Sequence, residues 1–257
     1  TFGDLVTEKM STYGDEWSGV NFADGQDGLY NPEKAKAEFA KAKEALQGEG
    51  VQFPIHLDLP VDQTSKLNVS KAQSLKQTIE KSLGSENVVI DINQLSSDDM
   101  QNVTLNAANA AAEDWDISNG VAWGPDYQDP STYLDIFKTT SSENTKTFMG
   151  YDDPNNAAAA QVGLKDYDAL LDSASSETTD LNARYDRYAQ AQAWLEDSSL
   201  VIPLTVGNGA APSISRLTPF TGPYTQVGDK NSSYYFKFVK PQEKVVTKKE
   251  YEQSREK

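Results

Sequence analysis

Val51-Gln52-Phe53-Pro54-Ile55-His56-Leu57-Asp58-Leu59 carries an apolar side chain at Val51, Phe53, Ile55, Leu57 and Leu59, every second position. A period of two is that of a β-strand with one face on a core. Pro54 has no N–H for a sheet ladder, which suggests an edge or a bulge. His56 falls on the opposite, polar face. Upstream, Asn31 is a helix cap and Pro32 suits the first helical position. Ala35, Phe39, Ala42 and Leu46 follow at helical spacing before Gly48 and Gly50. Downstream, Ala72, Leu75, Ile79 and Leu83 predict a second helix closed by Gly84, and Val88–Ile92 a second strand. Ser96-Ser97-Asp98-Asp99 offers caps for a third helix to about Ala112, and Asp116–Trp123 returns as a strand. Helices alternating with strands from Asn31 to Trp123 argue for an α/β fold with a mixed or parallel sheet covered by helices.

The flanks are less regular. Thr1–Leu29 mixes Gly, Asp, Ser and aromatics and reads as loop with short turns. Tyr133, Leu134 and Phe137 open a helical region after the turn at Asp129-Pro130. Tyr167, Leu170, Leu171 and Ala174 predict one amphipathic helix. Leu181, Tyr185, Tyr188, Gln192 and Leu195 predict another, capped by Asp180. Leu200–Val206 reads as a short buried strand and Tyr234–Val239 as a terminal one. The charged tail from Lys240 ends in a polar, potentially helical segment. The start lacks an initiator methionine, and both ends have the look of cut points in a longer protein.

The 257 residues suit one large α/β domain or two smaller ones. Hydrophobic residues at 37% and charged residues at 24% fit a soluble globular protein. A net charge of −16 repels phosphate backbones and anionic lipid, which argues against nucleic-acid or membrane-surface partners. With no cysteine, the chain makes no disulfide, thiolate metal site or thiol nucleophile. His56 is the sole histidine, so a multi-histidine zinc site is excluded and any Ser-His-Asp triad would run through it. No apolar run reaches membrane-spanning length, and no Walker or GxGxxG pattern supports a nucleotide cofactor.

Acidic pairs occur at Asp24/Asp27, Asp98/Asp99, Asp126/Asp129 and Asp152/Asp153. Paired carboxylates can serve as acid and base on a glycosidic bond or hold calcium. Beside Gly, Pro and Ser, however, Asp caps helices and closes turns. Trp123-Gly124-Pro125-Asp126-Tyr127-Gln128-Asp129-Pro130 stands apart. It follows a predicted strand, Gly124 permits close backbone approach, and the prolines stiffen the loop. In open α/β sheets, ligands bind beyond the carboxyl ends of strands. A carboxylate held among aromatics there suits an ammonium group.

Three stretches resemble the oligopeptide-binding branch of the extracellular solute-binding proteins that serve ABC importers. Trp123–Leu134 is similar to that family's W-x-x-D-Y-x-D-P-x-T-(F/Y)-L element. Tyr30-Asn31-Pro32-Glu33-Lys34-Ala35-Lys36 resembles its helix-opening segment. Tyr167-Asp168-Ala169-Leu170-Leu171, continuing through Arg184, Tyr188, Ala189, Gln190 and Leu195 to Ile202-Pro203-Leu204, resembles its two-helix-then-strand ending.

The resemblance implies a periplasmic-binding-protein-like lobe of type II in the peptide-binding cluster. A mixed sheet would be flanked by helices, and a C-terminal segment would return toward the other lobe. Residues 1–200 would form the second lobe of a hinged trap, and residues 201–257 the crossover segment and tail belonging partly to the first. Asp126 would pair with the peptide α-amino group, Trp123 would line a side-chain pocket, and Gly124 would offer backbone contacts. Peptide-binding residues are thus expected at Trp123, Gly124, Asp126 and Tyr127. Pro125 departs from the family, where relatives often have a small residue with an N–H, and removes one donor. The implied partners are oligopeptides and ABC transporter permease subunits, with no cofactor, no metal and no catalytic residue. The protein would be extracellular and held at the membrane only through a lipid anchor outside this chain. A receptor for a short glycan, using the four tryptophans as stacking platforms, and a carboxylate-dependent hydrolase are the alternatives the residues leave open.

Overall fold

The computed structural model describes residues 1–21, 30–118, 129–141, 157–204, 216–219 and 240–255. It divides into two units. One comprises residues 1–122 and 134–203, the other residues 123–133 and 204–257.

In the first unit, β1 (Ile55–Asp62) and β2 (Val88–Leu95) pair in parallel, Ile55 opposite Val88 and Asp62 opposite Leu95. Leu59, Val88 and Ile90 are buried against Ala72 of α3 (Lys66–Leu83), with Leu75, Ile79 and Leu83 packed around them. The α3 stripe expected from the spacing therefore covers the apolar face of the sheet. Ser65 caps α3 through the Asn68 N–H, and Gly84 closes it at φ +89°, a conformation L side chains rarely adopt. The sheet starts four residues later than the alternation at Val51 and runs on to Asp62. Pro54 precedes it, joined to Phe53 by a cis peptide.

Helix α2 (Pro32–Gly48) is capped by Asn31, whose side chain accepts from the Lys34 N–H. Its stripe is buried less than the spacing suggests. None of its residues is fully buried, and Phe39 docks edge-on to Phe53 with ring centroids 6.3 Å apart. Lys43 lies over the Phe53 ring at 5.1 Å.

The third helix is shorter than expected. α4 spans Ser97–Asn102 and does not reach Ala112. The Thr104 hydroxyl donates back to the Met100 carbonyl at 2.7 Å, and Asn106 and Ala107 close turns on Gln101 and Thr104. Side-chain bonds of this kind compete with helix propagation. Asp116 and Ile117 both donate to the Asp58 carbonyl, at 2.9 and 3.0 Å. The segment expected as a third strand thus lies along β1 at those two residues, with no strand assigned up to Ser118 and its remainder outside the described residues.

The opening stretch is not a loop. Phe2–Met10 forms α1, started by a reciprocal capping box between Thr1 and Asp4. Val6 and Met10 are buried against Ala189 and Ala193 of α8 (Leu181–Asp197), with Phe2 and Leu5 beside them. Two further helices precede α8. These are α6 (Ala157–Gln161) and α7 (Leu164–Ser176), following the short α5 (Ser131–Leu134). α8 buries Tyr188, Ala191 and Leu195 against Tyr167, Leu171 and Ala174 of α7. α8 is therefore the central helix of this layer, and its alanines let α1 and α7 approach on two sides. Asp180 caps it by accepting from the Asn182 and Ala183 N–H groups.

Leu200–Leu204 is not a buried strand. Ile202 is 69% exposed and Leu204 61% exposed, and Thr205 and Val206 lie outside the described residues. In the second unit, Leu217 forms an antiparallel bridge with Pro241, and α9 (Lys248–Arg255) ends the chain as expected. Tyr234–Val239 lies outside the described residues.

Candidate functional site

The face of the β1–β2 sheet opposite α3 is polar. Alternation in the strands sends Leu57, Leu59, Ile90 and Ile92 one way and His56, Asp58, Asp91 and Asn93 the other. His56 Nδ1 lies 2.7 Å from Asp91 Oδ2, both side chains substantially exposed. Asn93 donates to Asp58 Oδ1 at 2.9 Å, and the Asp58 N–H donates to Asp116 Oδ2 at 2.8 Å. With the two bonds from Asp116 and Ile117 to the Asp58 carbonyl, three hydrogen bonds fasten this segment to β1. His56 is thus an exposed strand residue with a carboxylate partner, as its place on the polar face implied.

At the carboxyl end of β1, Asp62 accepts from the Ser97 hydroxyl at 2.6 Å and from the Thr64 N–H and hydroxyl at 2.8 and 2.7 Å. These bonds, that from Ser97 foremost, hold its carboxyl below the usual range. Asp98 and Asp99 occupy the first turn of α4, where Ser96 accepts from the Asp99 N–H. Their role is the turn and helix-terminus role expected of such pairs.

Trp123, Gly124, Asp126 and Tyr127 lie outside the described residues, as do Asp24, Asp27, Asp152 and Asp153. The end of the motif is described. Asp129 Oδ1 accepts from the Ser131 N–H at 3.0 Å, and Thr132 and Tyr133 donate to the Asp129 and Pro130 carbonyls. This is the Asx-type turn that Asp-Pro-Ser favours.

Beyond Leu134 the chain is held by α7. The Tyr167 hydroxyl donates to the Leu134 carbonyl at 2.8 Å. The Asp168 carboxylate accepts the Thr139 N–H at 2.9 Å and the Thr139 hydroxyl on its other oxygen. Tyr167 and Thr139 are fully buried and Asp168 nearly so. The sequence marks Tyr167 as part of the apolar stripe of this helix, and Asp168 only through a resemblance. Their common task, holding the segment after the Asp126 motif, had no local signal beyond a polar residue on the apolar stripe of α7.

Glu196 is the other buried acid among the described residues. It is 7% exposed and accepts from the Gln192 side chain through Oε1, while Oε2 has no hydrogen-bond partner. Burial pushes its carboxyl up to about 7, opposed by the Gln192 hydrogen bond. Among the described residues, no group of three or more His, Asp or Glu side chains is placed to hold a metal ion. No helix there is long and apolar enough to cross a membrane.

No family model matches the chain. Curated relatives match over all of it. It is 65% identical over 257 residues to the oligopeptide-binding protein AmiA of Streptococcus pneumoniae and 59% identical over 258 residues to the oligopeptide-binding protein SarA of Streptococcus gordonii. The oligopeptide-binding protein AliA of Streptococcus pneumoniae is 57% identical over 259 residues. The chain spans 39% of the length of each of these relatives. Among solved structures, the substrate-binding domain of an oligopeptide ABC transporter from Bacillus anthracis shares the fold with TM-score 0.52 at 24% identity, over 68% of this chain and 29% of that one. A peptide-binding protein of a peptide ABC transporter does so with TM-score 0.50 at 24% identity, over 68% and 66%. These likenesses show that the chain shares the α/β fold of those two proteins over about two thirds of its length. Along its whole length the chain is thus similar to oligopeptide-binding proteins, of which it spans about two fifths.

Proposed function

We propose that this chain is part of an extracellular receptor that binds extended oligopeptides and delivers them to the permease subunits of an ABC importer. The observation that carries this reading is 65% identity, without a gap in coverage, to a protein named for oligopeptide binding. Asp126 is the anchor for the peptide α-amino group, with Trp123 lining a side-chain pocket and Gly124 and Tyr127 beside it. A charged anchor plus strand-like pairing with the peptide backbone binds many sequences in one register. Residues 1–200 form one lobe of the receptor, and residues 201–257 cross toward the other. The exposed Ile202 and Leu204 support this assignment, because apolar side chains on a crossing segment await the lobe it enters. The receptor catalyses no reaction, and a lipid anchor outside this chain holds it to the membrane.

The test is mass spectrometry of small molecules released from the receptor containing this sequence, purified without refolding. A set of peptides with free N-termini is expected. Release of glycans alone, or turnover of peptides during incubation, would overturn the reading.

A further inference from the structure

Charge is segregated between the β1–β2 sheet and α3, although the chain as a whole carries −16. On one side of the β1–β2 sheet lie Asp58 and Asp91, with Asp116 bonded to the backbone at the edge of β1. On the other side is α3, packed through Ala72, Leu75, Ile79 and Leu83. Its opposite face reads Lys66, Leu67, Ser70, Lys71, Ser74, Gln77, Thr78, Lys81 and Ser82, with no carboxylate. All are exposed except the half-buried Ser82. Glu80, the helix's single acid, lies off this face, paired with Lys76 at 2.6 Å and accepting the Ile90 N–H at 3.0 Å.

Three features make this face receptive to anions. Lys66, Lys71 and Lys81 spread over about 22 Å of helix at 1.5 Å per residue. Ser70, Ser74, Thr78 and Ser82 recur every fourth residue, forming one row of hydroxyls between the lysines. Neither these three ammonium groups nor these four hydroxyls have a hydrogen-bond or ion-pair partner among the described residues. Leu67, 65% exposed at one end of the row, adds an apolar contact.

We propose that the solvent face of α3 is a docking surface for an acidic segment of a partner protein. The shape of the charge favours a narrow polypeptide over a lipid surface. The three lysines and the row of hydroxyls run along a single helix, so a helix or strand laid along α3 meets them over its whole length. Charges farther away than a Debye length, about 8 Å at physiological salt, contribute little to that contact. The proposal does not depend on what the chain binds at Asp126.

The experiment is a titration of this chain with a dye-labelled synthetic helical peptide of about twenty residues carrying glutamates on one face, read by fluorescence anisotropy. Lys66→Gln, Lys71→Gln and Lys81→Gln combined should weaken binding about tenfold or more, with unchanged circular dichroism. Lys34→Gln, Lys36→Gln and Lys41→Gln on α2 should leave it within about twofold. Binding by the unsubstituted chain should fall steeply with salt. Equal affinity of the α3 variant, an equal loss in the α2 variant, or salt-independent binding would overturn the proposal. So would tighter binding to vesicles of equimolar phosphatidylglycerol and phosphatidylcholine than to the peptide.

Discussion

Thr139 gives both its N–H and its hydroxyl to the two oxygens of the buried Asp168 carboxylate. The pair fastens Thr139 onto α7, 29 residues away in order but in direct contact in space. Together with the Tyr167–Leu134 bond, it holds residues 134–139 against α7.

Replacing Asp168 by Ala should therefore destabilise the fold by about 3 kcal/mol, because two buried donors lose a charged acceptor at once. Asp168→Asn keeps one acceptor oxygen and should cost less. Urea unfolding followed by tryptophan fluorescence measures both. A loss below about 0.5 kcal/mol for the Ala variant would show that water satisfies Thr139 equally well.

Glu196 should make stability fall with rising pH. Its folded-state carboxyl titrates at about 7, above its ordinary value of 4.5. Between those values the folded protein holds a proton that the unfolded chain has released. Stability is then full below about pH 4.5, declines by up to about 1.4 kcal/mol per pH unit, and levels off above pH 7. Glu196→Gln cannot ionise and should flatten this decline, leaving the variant more stable than the parent at pH 8. Thermal unfolding across pH 4–9 decides it, and parallel curves for the two proteins would count against the buried carboxyl.

The turn between α7 and α8 should respond to acid in the opposite sense. Glu177 Oε1 accepts from the Asp180 N–H, the Thr179 N–H and the Thr179 hydroxyl, at 3.0, 3.0 and 2.8 Å. These bonds, with Arg187 nearby, lower its carboxyl to about 2. Its contribution is present above the unfolded value near 4.5 and is lost as pH falls through about 2. The Thr179 and Asp180 amide resonances should titrate together with that midpoint. Midpoints near 4.5 would mean that the carboxylate is solvated.

For the proposed anchor, Asp126→Asn in the receptor containing this sequence should weaken peptide binding about tenfold or more, since a hydrogen bond to a charged group contributes about 1.5–3 kcal/mol. N-acetylation of the peptide should cause a similar loss, and the two changes should not add. Calorimetry with a single peptide in both forms checks this. Full affinity for the acetylated peptide would remove Asp126 from the role.

Several elements were legible in order alone. The period-two run ending at Leu59, the Asn31-Pro32 start of α2, the Asp180 cap and the stripe of α3 use short-range physics, in which backbone donors, caps and one apolar face determine the element. The placement of His56 on the polar face followed from the same alternation, and the three motifs carried the likeness to oligopeptide-binding proteins.

What tertiary structure decided is of longer range. Phe2, Leu5, Val6 and Met10 stand at helical spacing behind the Thr1–Asp4 capping box, a local signal that the loop reading missed, but Val6 and Met10 become core only because Ala189 and Ala193 of α8 lie against them. The third helix stops at Asn102, and the Thr104 and Asn106 N–H groups turn back onto the Gln101 carbonyl instead of continuing the helical pattern. The bond from Asp58 to Asp116 and the clasp of Thr139 by Asp168 join residues 58 and 29 positions apart. Such partners carry no sequence period. They come together only when packed elements bring a donor to an acceptor, and burial makes each missing bond costly enough to select one arrangement.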